Sequence, residues 1–106
     1  MTERNDTNGL KHSADEVRLE ELREAIDDTD RVILGALSRR QSLSEEIGPV
    51  KRRLNLAPHQ PERQQEMLDG LAVQAPLYGL APDYVRQIFG VIHDHSVELQ
   101  RNPGDE

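Results

Sequence analysis

The chain has 106 residues, which is room for one domain, and a formal charge of −7 with 31% of its residues charged. That acidity argues against nucleic acid or an anionic membrane as partner. The absence of cysteine removes disulfides and thiolate metal sites, and the three aromatic residues, Tyr78, Tyr84 and Phe89, provide no stacking platform for bases.

No apolar run of about 20 residues and no signal-like apolar segment occurs, so a soluble, cytoplasmic protein is expected. Residues 1–15 are polar and read as a disordered tail. A helix is predicted to begin between Ser13 and Val17. Ser13 with Glu16 three residues on fits a capping box, and Asp15, Glu16, Glu20 and Glu21 suit a helix N-terminus. An apolar period of three or four then runs through Leu19, Leu22, Ile26, Ile33, Leu37 and Ile47 to Leu54.

Leu19 to Arg53 would form one helix of about ten turns. Such a helix would protrude from a folded part of roughly 80 residues, and a chain that short buries little surface alone. Self-association is the expected remedy. Gly48-Pro49 interrupts the pattern, because proline inside a helix loses a hydrogen bond and clashes with the carbonyl of Glu45, at about 3 kcal/mol. The stripe stays in phase through Ile47, Val50 and Leu54, so the helix is expected to bend at Pro49 and continue.

Two cations sit on that stripe. Arg40 and Lys51 project within roughly 20° of each other at 100° per residue. A charge among apolar residues costs several kcal/mol unless it is paired, and no acid shares the stripe. The expected partner is an anion from outside the chain.

Asn55 to Gln60 reads as a loop. Pro61 is placed as the first residue of a second helix, with Glu62 in its first turn and Met67, Leu68, Leu71 and Ala72 on its buried side. After a connection over Ala75–Ala81, Pro82-Asp83 opens a third helix with the stripe Val85, Ile88, Phe89, Ile92, Ser96, Leu99 and Gln100. Asn102, Pro103 and Gly104 end it, leaving residues 102–106 as a short disordered tail. No alternating strand pattern appears. The fold class is all-α, with three helices of which the first is dominant, over a domain of residues 16–101.

Ser96 and Gln100 lie at i and i+4 directly below Ile92. They are either a fraying helix end or two neutral hydrogen-bonding groups facing a polar pocket. Arg63, with Gln60 three residues before it and Gln64 next to it, forms a third small polar cluster; alone it would pass for solvated surface. His93 and His95 invite a metal reading, but residues at i and i+2 on a helix diverge by about 200° and cannot close on one ion. Asp94, His95 and Ser96 are likewise helix neighbours that point apart, which argues against a nucleophilic triad.

The ordered series LREAIDDTD, LSRRQSL, Lys51, Arg63 before an ML pair, and GL-x-PDYV-x-x-IF-x-x-I with Ser96 and Gln100 resembles the all-α (AroQ-type) chorismate mutase family. The resemblance covers Leu19 to Gln100. It implies an intertwined helical homodimer in which the long first helices lie together and each of two sites draws on both chains. By position, Arg40 and Arg63 resemble the arginines that hold the substrate's carboxylates within one chain, and Arg23 the arginine supplied by the partner chain. Lys51 and Gln100 resemble the pair at the ether oxygen of the breaking bond, and Ser96 a carboxylate contact. Lys51, Gln100 and Arg40 would then carry the catalysis, without metal or other cofactor.

Departures from the family pattern cluster at one place. Gln60 and Gln64 stand where acids beside the ring substituent are usual, and His59 where some members carry a further arginine. The resemblance therefore implies the rearrangement of chorismate to prephenate, with 4-amino-4-deoxychorismate as an alternative substrate. Isochorismate pyruvate lysis, disfavoured by Ser96, and a non-catalytic helical dimer that binds a partner or metabolite are further alternatives.

Overall fold

The computed structural model describes the backbone of residues 2–101 and the side chains of residues 13–101, so the expected C-terminal tail lies outside the described residues. Three α-helices follow one another: α1 (Thr2–Arg53), α2 (Pro61–Gln74) and α3 (Pro82–Gln100), with a 3-10 turn at Ala75–Tyr78 between the last two. The expected all-α class with a long first helix is what is found. Among the described residues no helix is long and apolar enough to cross a membrane.

The chain divides into two units, Met1–Ser38 and Arg39–Glu106, and α1 runs from the first into the second. In the first unit every described side chain is exposed. Leu22, Ile26 and Ile33, expected to be buried, are 44%, 59% and 50% accessible, so within one chain the stripe has nothing to pack against. Its ion pairs, Arg18–Glu21, Arg23–Glu20 and Arg31–Asp28, are local i,i+3 contacts on open surface, a kind that contributes little in water. The helix is assigned from Thr2, so Ser13 does not mark its start and the expected capping box has no terminus to cap. No proline precedes Pro49, and only proline would have forbidden the helical backbone there.

In the second unit α1 continues through Pro49 to Arg53 rather than ending at the proline. Its actual end is chemically specific. Asn55 takes the left-handed conformation at φ 58°. The Leu56 N–H then donates to the Lys51 carbonyl at 2.8 Å and the Asn55 N–H to the Arg52 carbonyl at 3.1 Å. This is a Schellman closure with asparagine in the position glycine usually fills. It turns the chain back so that the carbonyl of Pro58 meets the Lys51 ammonium at 2.8 Å.

Pro61 and Pro82 each occupy the first turn of their helices, as expected from proline's fixed φ and missing N–H. Gly79 closes the 3-10 turn at φ 72°, a backbone only glycine adopts without strain. Helices α2 and α3 are joined by the Arg86–Asp69 ion pair at 2.9 Å, which together with Gln65 holds the Asp69 carboxyl below its usual range. The buried apolar residues are Ala72, Ala75, Val85 and Val97, all small, and no large side chain is fully enclosed among the described residues.

Gly48 is buried where α1 meets the end of α3. A Cβ there would lie 3.1 Å from the Gln100 carbonyl oxygen and 3.3 Å from its Cα. Branching at that carbon must push Gln100 away. Gly48→Val is expected to lower stability by about 1–3 kcal/mol, the usual range for overpacking. Gly70→Val is the control for β-branching in a helix, because a Cβ at Gly70 meets nothing within 4 Å. Urea denaturation of the two variants gives the comparison, and equal losses would remove the steric argument.

Candidate active site

A pocket of about 500 Å³ opens within the second unit, between the end of α1, the start of α2 and the last turns of α3. The size suits a small molecule. Its apolar wall is Leu43, Ile47 and Met67. Its polar lining consists of Arg40, Lys51, Arg63, Ser44, Gln60, His93, Ser96 and Gln100. Three cations face this space and, among the described residues, no carboxylate does, in a chain that carries 20 acidic residues.

Each of the two half-buried cations is held by neutral groups. Arg40 Nη1 donates to Ser96 Oγ, and Nη2 lies 3.9 Å from the Met67 sulfur. Ser96 in turn donates to the Ile92 carbonyl at 3.1 Å, which fixes its hydroxyl proton away from the arginine. Lys51 Nζ donates to Gln100 Oε1 at 2.6 Å and to the Pro58 carbonyl at 2.8 Å. An ammonium has three protons, so one remains for a ligand. Since Gln100 turns its oxygen to Lys51, its NH₂ group is left to donate. Arg63 lines the pocket and has no hydrogen-bond or ion-pair partner among the described residues.

Burial lowers the pKa of both Arg40 and Lys51 from their ordinary values. An adjacent carboxylate would have pulled each the other way. The direction marks two cations that have lost water without gaining an anion.

A family model described as chorismate mutase type II matches residues 22–101. The chain belongs to that family. It is similar to the chorismate mutase of Methanocaldococcus jannaschii, 26% identical over 84 residues, 79% of this chain and 85% of that protein. It is also similar to the T-protein of Enterobacter agglomerans, 31% identical over 83 residues, 78% of this chain but only 22% of that longer protein's length. Among solved structures, chorismate mutase (Form II) from Thermus thermophilus superposes with a TM-score of 0.75 at 32% identity, covering 81% of this chain and 97% of that one. The Methanocaldococcus and Thermus proteins are named for chorismate, and nothing in these comparisons supports the 4-amino-4-deoxychorismate branch.

Of the residues that the chorismate mutase resemblance singled out, Arg40, Lys51, Gln60, Arg63, Ser96 and Gln100 come together in this pocket. Gln64 does not line it; its Oε1 accepts from His59 Nε2 at 2.8 Å. Arg23 belongs to the other unit, where it is exposed and paired with Glu20 at 3.3 Å. Gln60 reaches the pocket because it is the N-cap of α2 and makes no side-chain cap bond, so its amide is not spent on the helix end.

His93 is the residue that sequence reasoning missed. The metal reading with His95 fails for it on helix geometry. Yet it stands three residues before Ser96 and seven before Gln100, on the same face of α3, and that spacing was available in the sequence. Its Nε2 is buried and has no hydrogen-bond partner, a state found for no other buried side-chain nitrogen or oxygen among the described residues.

Burial lowers the His93 pKa below the usual 6.5. Arg40, His59 and Lys51 push the same way, while Asp94 opposes them. The imidazole is therefore neutral at pH 7. As pH falls through 6.5 the unfolded chain takes up a proton that the folded imidazole refuses, so this group makes stability fall on acidification. Imidazole NMR should give His93 a midpoint below 6.5, and His93→Leu should flatten the decline of stability between about pH 6.5 and 5. A midpoint at or above 6.5 would contradict the environment described.

Proposed function

We propose that the protein is a chorismate mutase that converts chorismate to prephenate as a homodimer, with two sites shared between chains. The observation that carries this is the pocket in which Arg40, Lys51 and Arg63 converge with no carboxylate among them. Chorismate is a dianion, and its two carboxylates answer that charge.

The reaction is a concerted [3,3] shift. The bond between ring carbon and ether oxygen breaks ahead of carbon–carbon bond formation, so negative charge grows on the ether oxygen. Neither a nucleophile nor a cofactor is needed. Catalysis consists of holding the substrate in its reactive chair and stabilising that growing charge.

Arg40 and Arg63 take the carboxylates, for which the planar guanidinium fork is well matched. Ser96 steadies Arg40 and contributes to the same subsite. Lys51 directs its remaining proton, and Gln100 its NH₂ group, to the ether oxygen. These donors are in place before substrate arrives, because Pro58 and Gln100 already hold the ammonium. Gln100 is neutral and donates at any pH, so it imposes no acid requirement.

The homodimer is supported by the exposed stripe of α1 and by the lack of large enclosed side chains among the described residues. Pairing α1 with the same helix of a second copy covers the stripe and brings Arg23 of each chain to the other's site. Arg23 is free to do so, since its bond to Glu20 is a weak surface contact.

Purified protein should convert chorismate to prephenate; no turnover, or release of pyruvate from isochorismate in its place, would refute the proposal. Arg40→Ala and Lys51→Ala should each cost on the order of 2–4 kcal/mol in kcat/KM. A variant that kept the wild-type value would remove that residue from the site. The shared site has its own test. Arg23→Ala and Arg40→Ala chains, each inactive alone, should regain activity when unfolded and refolded together, because one site of the mixed dimer is intact. Random pairing would restore about a quarter of the sites. No recovery, with mixed dimers confirmed by mass spectrometry, would place Arg23 outside the partner's site.

A further inference from the structure

The pocket is rich in donors and poor in acceptors. Arg40, Lys51 and Arg63 can only donate. Ser96 Oγ already accepts from Arg40 and gives its proton to Ile92. The oxygen of Gln100 is occupied by Lys51, and that of Gln64 by His59. Ser44 and Gln60 carry both kinds of group and can turn a donor toward an anion. His93 differs from all of these. His93 lines the pocket, its Nε2 is buried with no partner, and a nitrogen left in that state carries a desolvation cost that a ligand reaching it relieves. In the neutral tautomer with its proton on Nδ1, the ring carries its lone pair on Nε2. An Nε2 in that state can only accept.

Chorismate brings two carboxylates and an ether oxygen, all acceptors, and one donor, its ring hydroxyl. Resting on the function proposed above, we infer that His93 is a specificity-determining residue whose Nε2 accepts the hydrogen bond of the substrate's ring hydroxyl. The His93 ring lies 6.4 Å from that of His59, which joins it to the His59–Gln64 pair at the start of α2. No carboxylate among the described residues lines this end of the pocket, while the arginines and the lysine hold the anionic parts. A substrate with a cationic substituent at the hydroxyl's position would meet no carboxylate there. One with no donor at that position would leave Nε2 unpaired, as in the empty site.

The test crosses the residue with the substrate group. Wild type, His93→Leu and His93→Gln are assayed with chorismate and with the analogue in which hydrogen replaces the ring hydroxyl. Each rate is divided by the uncatalysed rate of the same compound. Wild type should favour chorismate by roughly tenfold in kcat/KM, the value of one hydrogen bond. His93→Leu should lose that factor on chorismate and lose nothing on the analogue, and His93→Gln, which keeps an acceptor, should recover part of it. Equal losses on both compounds, or a preference that survives in His93→Leu, would overturn the inference and leave the mutase reading standing. Failure of the wild type to turn over chorismate would instead overturn the mutase reading.

A measurement without substitution guards against a variant that does not fold. In ¹⁵N spectra of the wild-type imidazoles at pH 7, His93 should be the Nδ1–H tautomer with Nε2 unprotonated. An Nε2–H tautomer would overturn the proposal.

Discussion

The rest of the candidate site depends on one arrangement, positive charge held in place by neutral dipoles. Lys51 is fixed by a backbone carbonyl and an amide oxygen, and Arg40 by a hydroxyl. A carboxylate in any of these positions would bind its cation more strongly, but it would also cancel the charge and compete with an anionic ligand. Neutral partners orient the cations and leave their charge uncompensated. The cost is partial desolvation, which the lowered pKa values of both groups record.

Local backbone chemistry serves that arrangement. The left-handed Asn55 closes α1 and returns the chain, bringing the Pro58 carbonyl to Lys51. Pro61 starts α2 one residue after Gln60, which leaves the Gln60 amide free of capping duty. Gly48 has no side chain, so the last residue of α3 can settle against α1 and set Gln100 opposite Lys51. Arg52 adds a bond of 3.2 Å to the Gln100 carbonyl, tying down the end of a helix that would otherwise fray. Each device is local, and together they fix donors from three helices around one space.

Much of this was legible in the sequence, for reasons that differ from element to element. Proline-first starts placed α2 and α3 correctly because proline's φ restriction is local and needs no tertiary context. Helical phase placed Arg40 and Lys51 together, and Ser96 with Gln100, because side-chain direction on a helix follows from residue spacing. The beginning of α1 was not legible. A capping box marks a favourable place to start a helix but does not prevent the helix from extending further back. Phase also showed which side of α1 is apolar, but it could not say what covers that side, since burial depends on a partner and not on period. His93 was not legible as a pocket residue, because its pairing with His95 raises only metal binding, which helix geometry rejects, whereas its relation to Ser96 and Gln100 is the informative one. Its lack of a hydrogen-bond partner could only come from coordinates.

The acidity that argues against nucleic acid and anionic membrane as partners is compatible with a site for a dianion. Net charge acts through a long-range field, and at physiological ionic strength that field is screened beyond about 8 Å. The acidic residues seen in ion pairs, such as Glu20, Glu21 and Asp28, are on exposed faces where water and salt attenuate them. Of the pocket cations, Arg40 and Lys51 are partly withdrawn from water, and at contact distance a lower effective dielectric makes each of these two worth several times its value on the surface. A dianion in solution therefore meets a weakly repelling protein, and one that has entered the pocket meets a strongly attracting site. Composition reports the first condition and the position of three side chains decides the second. For a small anionic substrate, exclusion of carboxylates from one small space matters more than the overall balance of charge.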